Sequence, residues 1–153
     1  MAATTASIVY STQVTHIGSG ASIAPAGLSG SADISTALAG NGNLARYPYA
    51  DVVLMIAPTA SVAAASTVIS LYRRDINIDS TSDEDVPGAS NTQHYVGTFQ
   101  VPAATAASTT HYVQITDVPL AGGDAEFYIQ NNLAVNIPAG WTLKITPKTI
   151  AFA

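Results

Sequence analysis

The run NLAVNIPAGWTLKITPKTI, residues 132–150, decides how this chain is read. Trp141, the only tryptophan, follows a Pro-Ala-Gly turn. From there Trp141-Thr142-Leu143-Lys144-Ile145-Thr146 alternates apolar and polar side chains. Successive side chains of a strand point to opposite faces, so Trp141, Leu143 and Ile145 share one face and Thr142, Lys144 and Thr146 the other. Pro147 is expected to end the strand, because proline has no N–H to give to a central ladder. The segment reads as a closing strand that lays the largest apolar side chain onto a core made by the rest.

Working back from it, EFYIQ (126–130) is a short strand with two aromatics, preceded by a turn at Gly122-Gly123. Residues 93–101 and 109–118 are expected to form a hairpin through the loop PAATAAS, with Tyr95, Gly97, Phe99 and Val101 on one face. Residues 51–56 and 67–74 are dense in Val, Ile, Leu and Met, which suggests burial. After Tyr72 the apolar parity slips from Leu71 to Ile76 and Ile78, so a bulge or bend is expected near Arg73. With a further piece near Ile23 or Ile34, the count is about eight strands and no segment of helical period. That pattern indicates an all-β fold, a β-sandwich of the jelly-roll type, with Trp141, Leu143, Ile145, Phe99, Tyr95 and Phe127 in its core.

Residues 1–46 differ from the body at 47–153. Ala, Ser, Thr and Gly dominate there, and Asp33 and Arg46 are its only charges. Low-complexity GSGASIAPAGLSGS and the turn Asn41-Gly42-Asn43 lead into the body. An extended arm, with its first strand or strands, that orders against a neighbouring subunit suits this composition. Ile8, Val9, Tyr10, Val14 and Ile17 are its interface candidates. Arg73 and Arg74 are placed either to pair with Asp75 or to reach a partner's carboxylate.

Charged residues make up 10% of the 153-residue chain, against roughly 25% in an ordinary soluble domain. A surface so poor in charge is easiest to understand if other subunits cover much of it. The net charge of −5 with only five basic residues argues against nucleic-acid partners. Absence of cysteine removes disulfides, thiolate nucleophiles and thiolate metal sites. The N-terminus has neither a basic n-region nor a long apolar h-region, so no Sec signal is expected. Residues 52–72 are uncharged and long enough to span a bilayer, but Pro58 and several Ser and Thr interrupt them. Two strands joined by a loop are expected instead.

Candidate chemistry is thin. Asp75, Asn77 and Asp79 match the opening of a calcium loop, yet Ser80 stands where glycine is needed and Val86 where a bidentate Glu is needed. A solvated acidic loop, continued by Asp83, Glu84 and Asp85, is the plainer account. His16, His94 and His111 have no metal-ligand spacing, and no G-x-S-x-G elbow is present. Asp124 and Glu126 lack a second feature that would point to glycosidase chemistry. Gly18-Ser19-Gly20 lacks the third glycine and the strand–helix context of a nucleotide loop. Neither an enzyme nor a cofactor is expected.

Five runs carry a resemblance: YPYADVVLMI (47–56), SLYRRDINID (70–79), HYVGTFQVP (94–102), FYIQN (127–131) and IPAGWTLKITPKT (137–149). In this order, over roughly two-thirds of the chain, they resemble a family of small tailed-bacteriophage virion proteins. The resemblance implies a structural role on the virion, made in the host cytoplasm, with no catalytic residue. Similar jelly-roll proteins on phage heads are homotrimeric cement or decoration proteins on the capsid exterior, held by the major capsid protein. Nucleic acid and membrane are not among the implied partners. A receptor- or glycan-binding module of a tail or fibre is the alternative on the same fold.

Overall fold

The computed structural model describes residues 5–30, 32–33, 47–63, 67–76, 84–87, 95–103, 106–120 and 125–152, with the backbone alone at 32–33. The strands are β1 (Ala6–Tyr10), β2 (Val14–Ile17), β3 (Ala32–Asp33), β4 (Tyr49–Ile56), β5 (Val68–Asp75), β6 (Tyr95–Gln100), β7 (His111–Pro119), β8 (Ala125–Asn131) and β9 (Thr142–Phe152). One sheet runs β1-β9-β4-β7 with β2 also on β9, and the other runs β3-β8-β5-β6. Every pairing is antiparallel.

β1 and β2 together occupy one strand position along β9, broken at residues 11–13. Counted that way, the first position pairs with the last, β3 with β8, β4 with β7, and β5 with β6. This is one long antiparallel ribbon, its tip between β5 and β6, rolled up so that alternate pairs fall in opposite sheets. The fold is the jelly-roll sandwich expected from the strand count.

Alternation fills the space between the sheets. Val52, Leu54 and Ile56 of β4 and Leu143 and Ile145 of β9 face Ile69, Leu71, Phe99, Phe127 and Ile129 of the other sheet, all of them buried. Four of the expected core residues, Phe99, Phe127, Leu143 and Ile145, have no exposed surface, and Trp141 is nearly as enclosed. The two ends of the stretch 52–72 lie in β4 and β5, strands of opposite sheets.

Tyr95 is a correction. It is 51% exposed rather than core. The β5–β6 register shifts between Leu71, opposite Gly97, and Tyr72, opposite Tyr95, so Val96 is an extra residue on β6. The irregularity expected near Arg73 is therefore present but sits on the partner strand. It turns Tyr95 outward, where its ring meets that of Tyr72 edge-on at 5.9 Å.

The expected hairpin of 93–101 with 109–118 does not form. β6 pairs with β5, β7 pairs with β4, and the loop between them crosses from one sheet to the other. Val101 N–H donates to Thr67 O, and Ser108 N–H donates to Pro58 O, which ties this crossing to the one between β4 and β5. Sequence adjacency suggested pairing, but each strand already had a longer-range partner.

Pro147 does not end the last strand, which continues to Phe152. Tyr10 opposes Lys148 and Val14 opposes Ile145, leaving three residues of the first strand against two of β9. Ser11 N–H donates to the Pro147 carbonyl. In a strand N–H and C=O of one residue point the same way, so the missing N–H falls at this break, where it costs little.

The described part of residues 1–46 enters both sheets, through β1, β2 and β3 and through bridges Ile23–Ile137 and Leu28–Gln130. Trp141 fastens it. The indole N–H donates to Ala21 O at 2.8 Å, and Gly20 lies so close that an added Cβ would fall 1.9 Å from the ring.

Candidate interaction surface

β4 leaves the ladder at Tyr49, opposite Lys148, while β9 runs on to Phe152 with, among the described residues, only β1 beside it. The last turn of the sheet is thus a two-stranded ribbon that overhangs the sandwich. All five residues of β1 are exposed. Rows Ala6–Phe152, Ile8–Ile150 and Tyr10–Lys148 set Ile8, Tyr10, Ile150 and Phe152 on one face. Their exposures are 58%, 55%, 54% and 72%. Exposed Tyr49 continues that face onto the sandwich. Single exposed apolar side chains need no explanation, whereas a contiguous apolar strip of this kind is a candidate contact. A two-stranded ribbon is also marginal on its own in water.

At the root of the ribbon a groove of about 300 Å³ is lined by Ile8, Tyr49, Asp117, Lys148, Thr149 and Ile150. Lys148 is buried there, its ammonium bonded to Asp51 and, at 2.8 Å, to Asp117. The Tyr10 ring lies over it, 5.9 Å from Nζ to the centroid. A bulge brings the second carboxylate into place. Ala50 opposes Val118 but Val52 opposes Ile115, so β7 carries one extra residue. Asp117 takes φ 59° there, and its N–H donates to the Asp51 carboxylate. Aspartate tolerates this left-handed conformation better than most residues. Burial works against the Lys148 charge, but the hydrogen bonds it donates to Asp117 and Asp51 outweigh it and raise its pKa. The Lys148 hydrogen bond holds the Asp117 carboxyl below its ordinary range. The cluster anchors the ribbon and leaves its outer face apolar.

Of the residues expected at an interface, Ile8, Val9 and Tyr10 lie on the ribbon and are exposed. Val14 and Ile17 are half-buried against the core. Arg73 and Arg74 are engaged within the chain, and for Arg73 the partner is Asp75, the first of its two alternatives. Arg73 Nε donates to Asp75 at 2.7 Å and its Nη1 to Pro119 O, while Arg74 binds Glu126 and the Glu84 carbonyl. Of the calcium-loop candidates, Asn77 and Asp79 lie outside the described residues, as do His94 and Asp124. Among the described residues no group of three or more His, Asp or Glu is placed to hold a metal ion.

Sequence reasoning missed Tyr49, Lys148, Ile150 and Phe152. The alternation Lys148-Thr149-Ile150-Ala151-Phe152 was the available signal, hidden by the assumption that Pro147 stops the strand.

No family model and no curated protein matches the chain. Among solved structures, a carbohydrate-binding module, CBM36 in complex with calcium and xylotriose, aligns over 93% of this chain and 99% of its own. Identity is 14% and the TM-score 0.41, so neither ligand is carried over to this chain.

Proposed function

We propose that this protein is a non-enzymatic structural component of a phage virion, a cement or decoration protein on the capsid exterior. It assembles with copies of itself, a homotrimer being the arrangement its resemblance implies, and with the major capsid protein. The observation that carries this is the overhanging β1–β9 ribbon, whose apolar face is open in the isolated chain. A charge content of 10% supports it, since a free monomer gains solubility from more. The test is co-sedimentation with capsids that lack the protein. The wild type should pellet with them, and Ile150→Lys/Phe152→Lys, still folded by circular dichroism, should stay in the supernatant. Equal pelleting of both proteins would refute the ribbon as the contact.

A glycan-binding module is the second reading. Tyr112, 72% exposed, stands at a groove of about 320 Å³ with Gln13, Thr142 and Lys144 on the outer face of the β1-β9-β4-β7 sheet. An aromatic face beside polar groups suits a sugar. Trp141 is sealed under the N-terminal segment, so Tyr112 would have to supply the stacking. Glycan-array binding lost in Tyr112→Ala would favour this reading, and no binding by the wild type would dismiss it.

A further inference from the structure

Among the described residues, β1 is the terminal strand of its sheet. The Ser11–Pro147 bond lies on the continuation of the β1–β9 register. Carried back by alternation, it puts the N–H and C=O of Ser7 and Val9 toward β9 and those of Ala6, Ile8 and Tyr10 on the open side. Natural edges are blunted by charges, prolines or bulges. The segment ASIVY has no charge and no proline, and its register runs without a shift.

We propose that this edge is completed by β1 of a second copy of the chain, antiparallel, with Ile8 opposite Ile8. The proposal rests on the ribbon being an assembly contact and names what meets it. Centred there, the pairing sets Ala6 of each copy against Tyr10 of the other. Every outward residue then meets an outward residue, giving about six backbone hydrogen bonds with no group left over. In a two-fold contact each patch meets itself, so a charge at its centre, or a patch of one sign, would face its like. With a net charge of −5 two copies of this molecule repel each other overall. Residues 6–10 and 149–152 carry no charge, and the nearest, Lys148, is matched by Asp51 and Asp117. The apolar strips of Ile8, Tyr10, Ile150 and Phe152 become one surface across the pair. Being two-fold, this contact is distinct from one that closes a trimer.

The chain has no cysteine, so single cysteines report the register directly. Opposed residues of a hydrogen-bonded pair stand about 5.5 Å apart at Cα, within disulfide reach. Under mild oxidation Ile8→Cys should convert nearly completely to a disulfide dimer. Tyr10→Cys alone should not, but mixed with Ala6→Cys it should form the cross-linked pair. Ile8→Lys should weaken self-association by about 3- to 5-fold, because like charges directly opposite each other across a strand pair are destabilising, and mixing it with Ile8→Glu should restore it. A wild type that stays monomeric at millimolar concentration overturns the proposal, as does self-association in which the Ile8→Cys variant remains uncross-linked. If copies pair as described but capsids are not bound, the virion role fails and this contact stands. If capsids are bound while Ile8→Cys stays uncross-linked, the contact fails and the virion role stands.

Discussion

The two ends of β9 are built for opposite purposes. At its start, Trp141 is roofed by Gly20 and Ala21, and its one polar atom is satisfied by a backbone carbonyl. At its finish, Ile150 and Phe152 stand open beside a strand exposed along its whole length. Both ends are apolar, and both pair with the N-terminal segment. The difference is that the first end is completed by its own chain, whereas the second, among the described residues, presents an open sheet edge. The contrast predicts that substitutions at the first end damage folding and those at the second damage assembly.

The largest effect on stability is expected from Trp141→Ala, a loss of about 3–5 kcal/mol measured by denaturant unfolding. Lys148→Met, at the hinge between the two ends, leaves Asp51 without its ammonium at a buried position. It should cost on the order of 3 kcal/mol, toward the low side for a buried pair because Asp117 is open to water. Its pH signature follows from the two shifts. Asp117 is held below its ordinary 3.8, so its contribution is present above about pH 4 and lost as pH falls through the folded value. Lys148 is held above its ordinary 10.5, so its contribution is complete below that pH and lost as pH rises through the folded value. The melting-temperature gap between wild type and Lys148→Met should be flat between those limits and narrow outside them. Gly20→Ala forces the indole to move and should cost about 1–3 kcal/mol. Ile150→Lys/Phe152→Lys should change folding stability by less than about 0.5 kcal/mol per site while abolishing association. Destabilisation comparable to Trp141→Ala would show that the ribbon face is already covered within the chain.

Much of the sandwich was legible because alternation is local. The strand positions and the burial of Trp141, Leu143, Ile145, Phe99 and Phe127 follow from a period of two. Pairing was not legible, since a jelly roll joins strands far apart in sequence, and the crossing loop at 101–110 looks like a hairpin turn until the partners of β6 and β7 are known. Tyr95 was misplaced for a related reason, because a single extra residue at Val96 reverses the faces. At the candidate surface, Ile8, Val9 and Tyr10 could be picked out as apolar residues in a charge-poor segment. Lys148 could not, because a lysine written in a strand says nothing of two carboxylates brought from β4 and a bulge in β7.

Amide hydrogen exchange on β1, measured for the dilute chain and for the assembled particle, tests the unfinished sheet most directly. In the dilute chain Ser7 and Val9 should be protected by β9, while Ala6, Ile8 and Tyr10 exchange freely. On assembly, protection should appear at Ala6, Ile8 and Tyr10. The account is contradicted if those three amides exchange as fast in the particle as in the free protein.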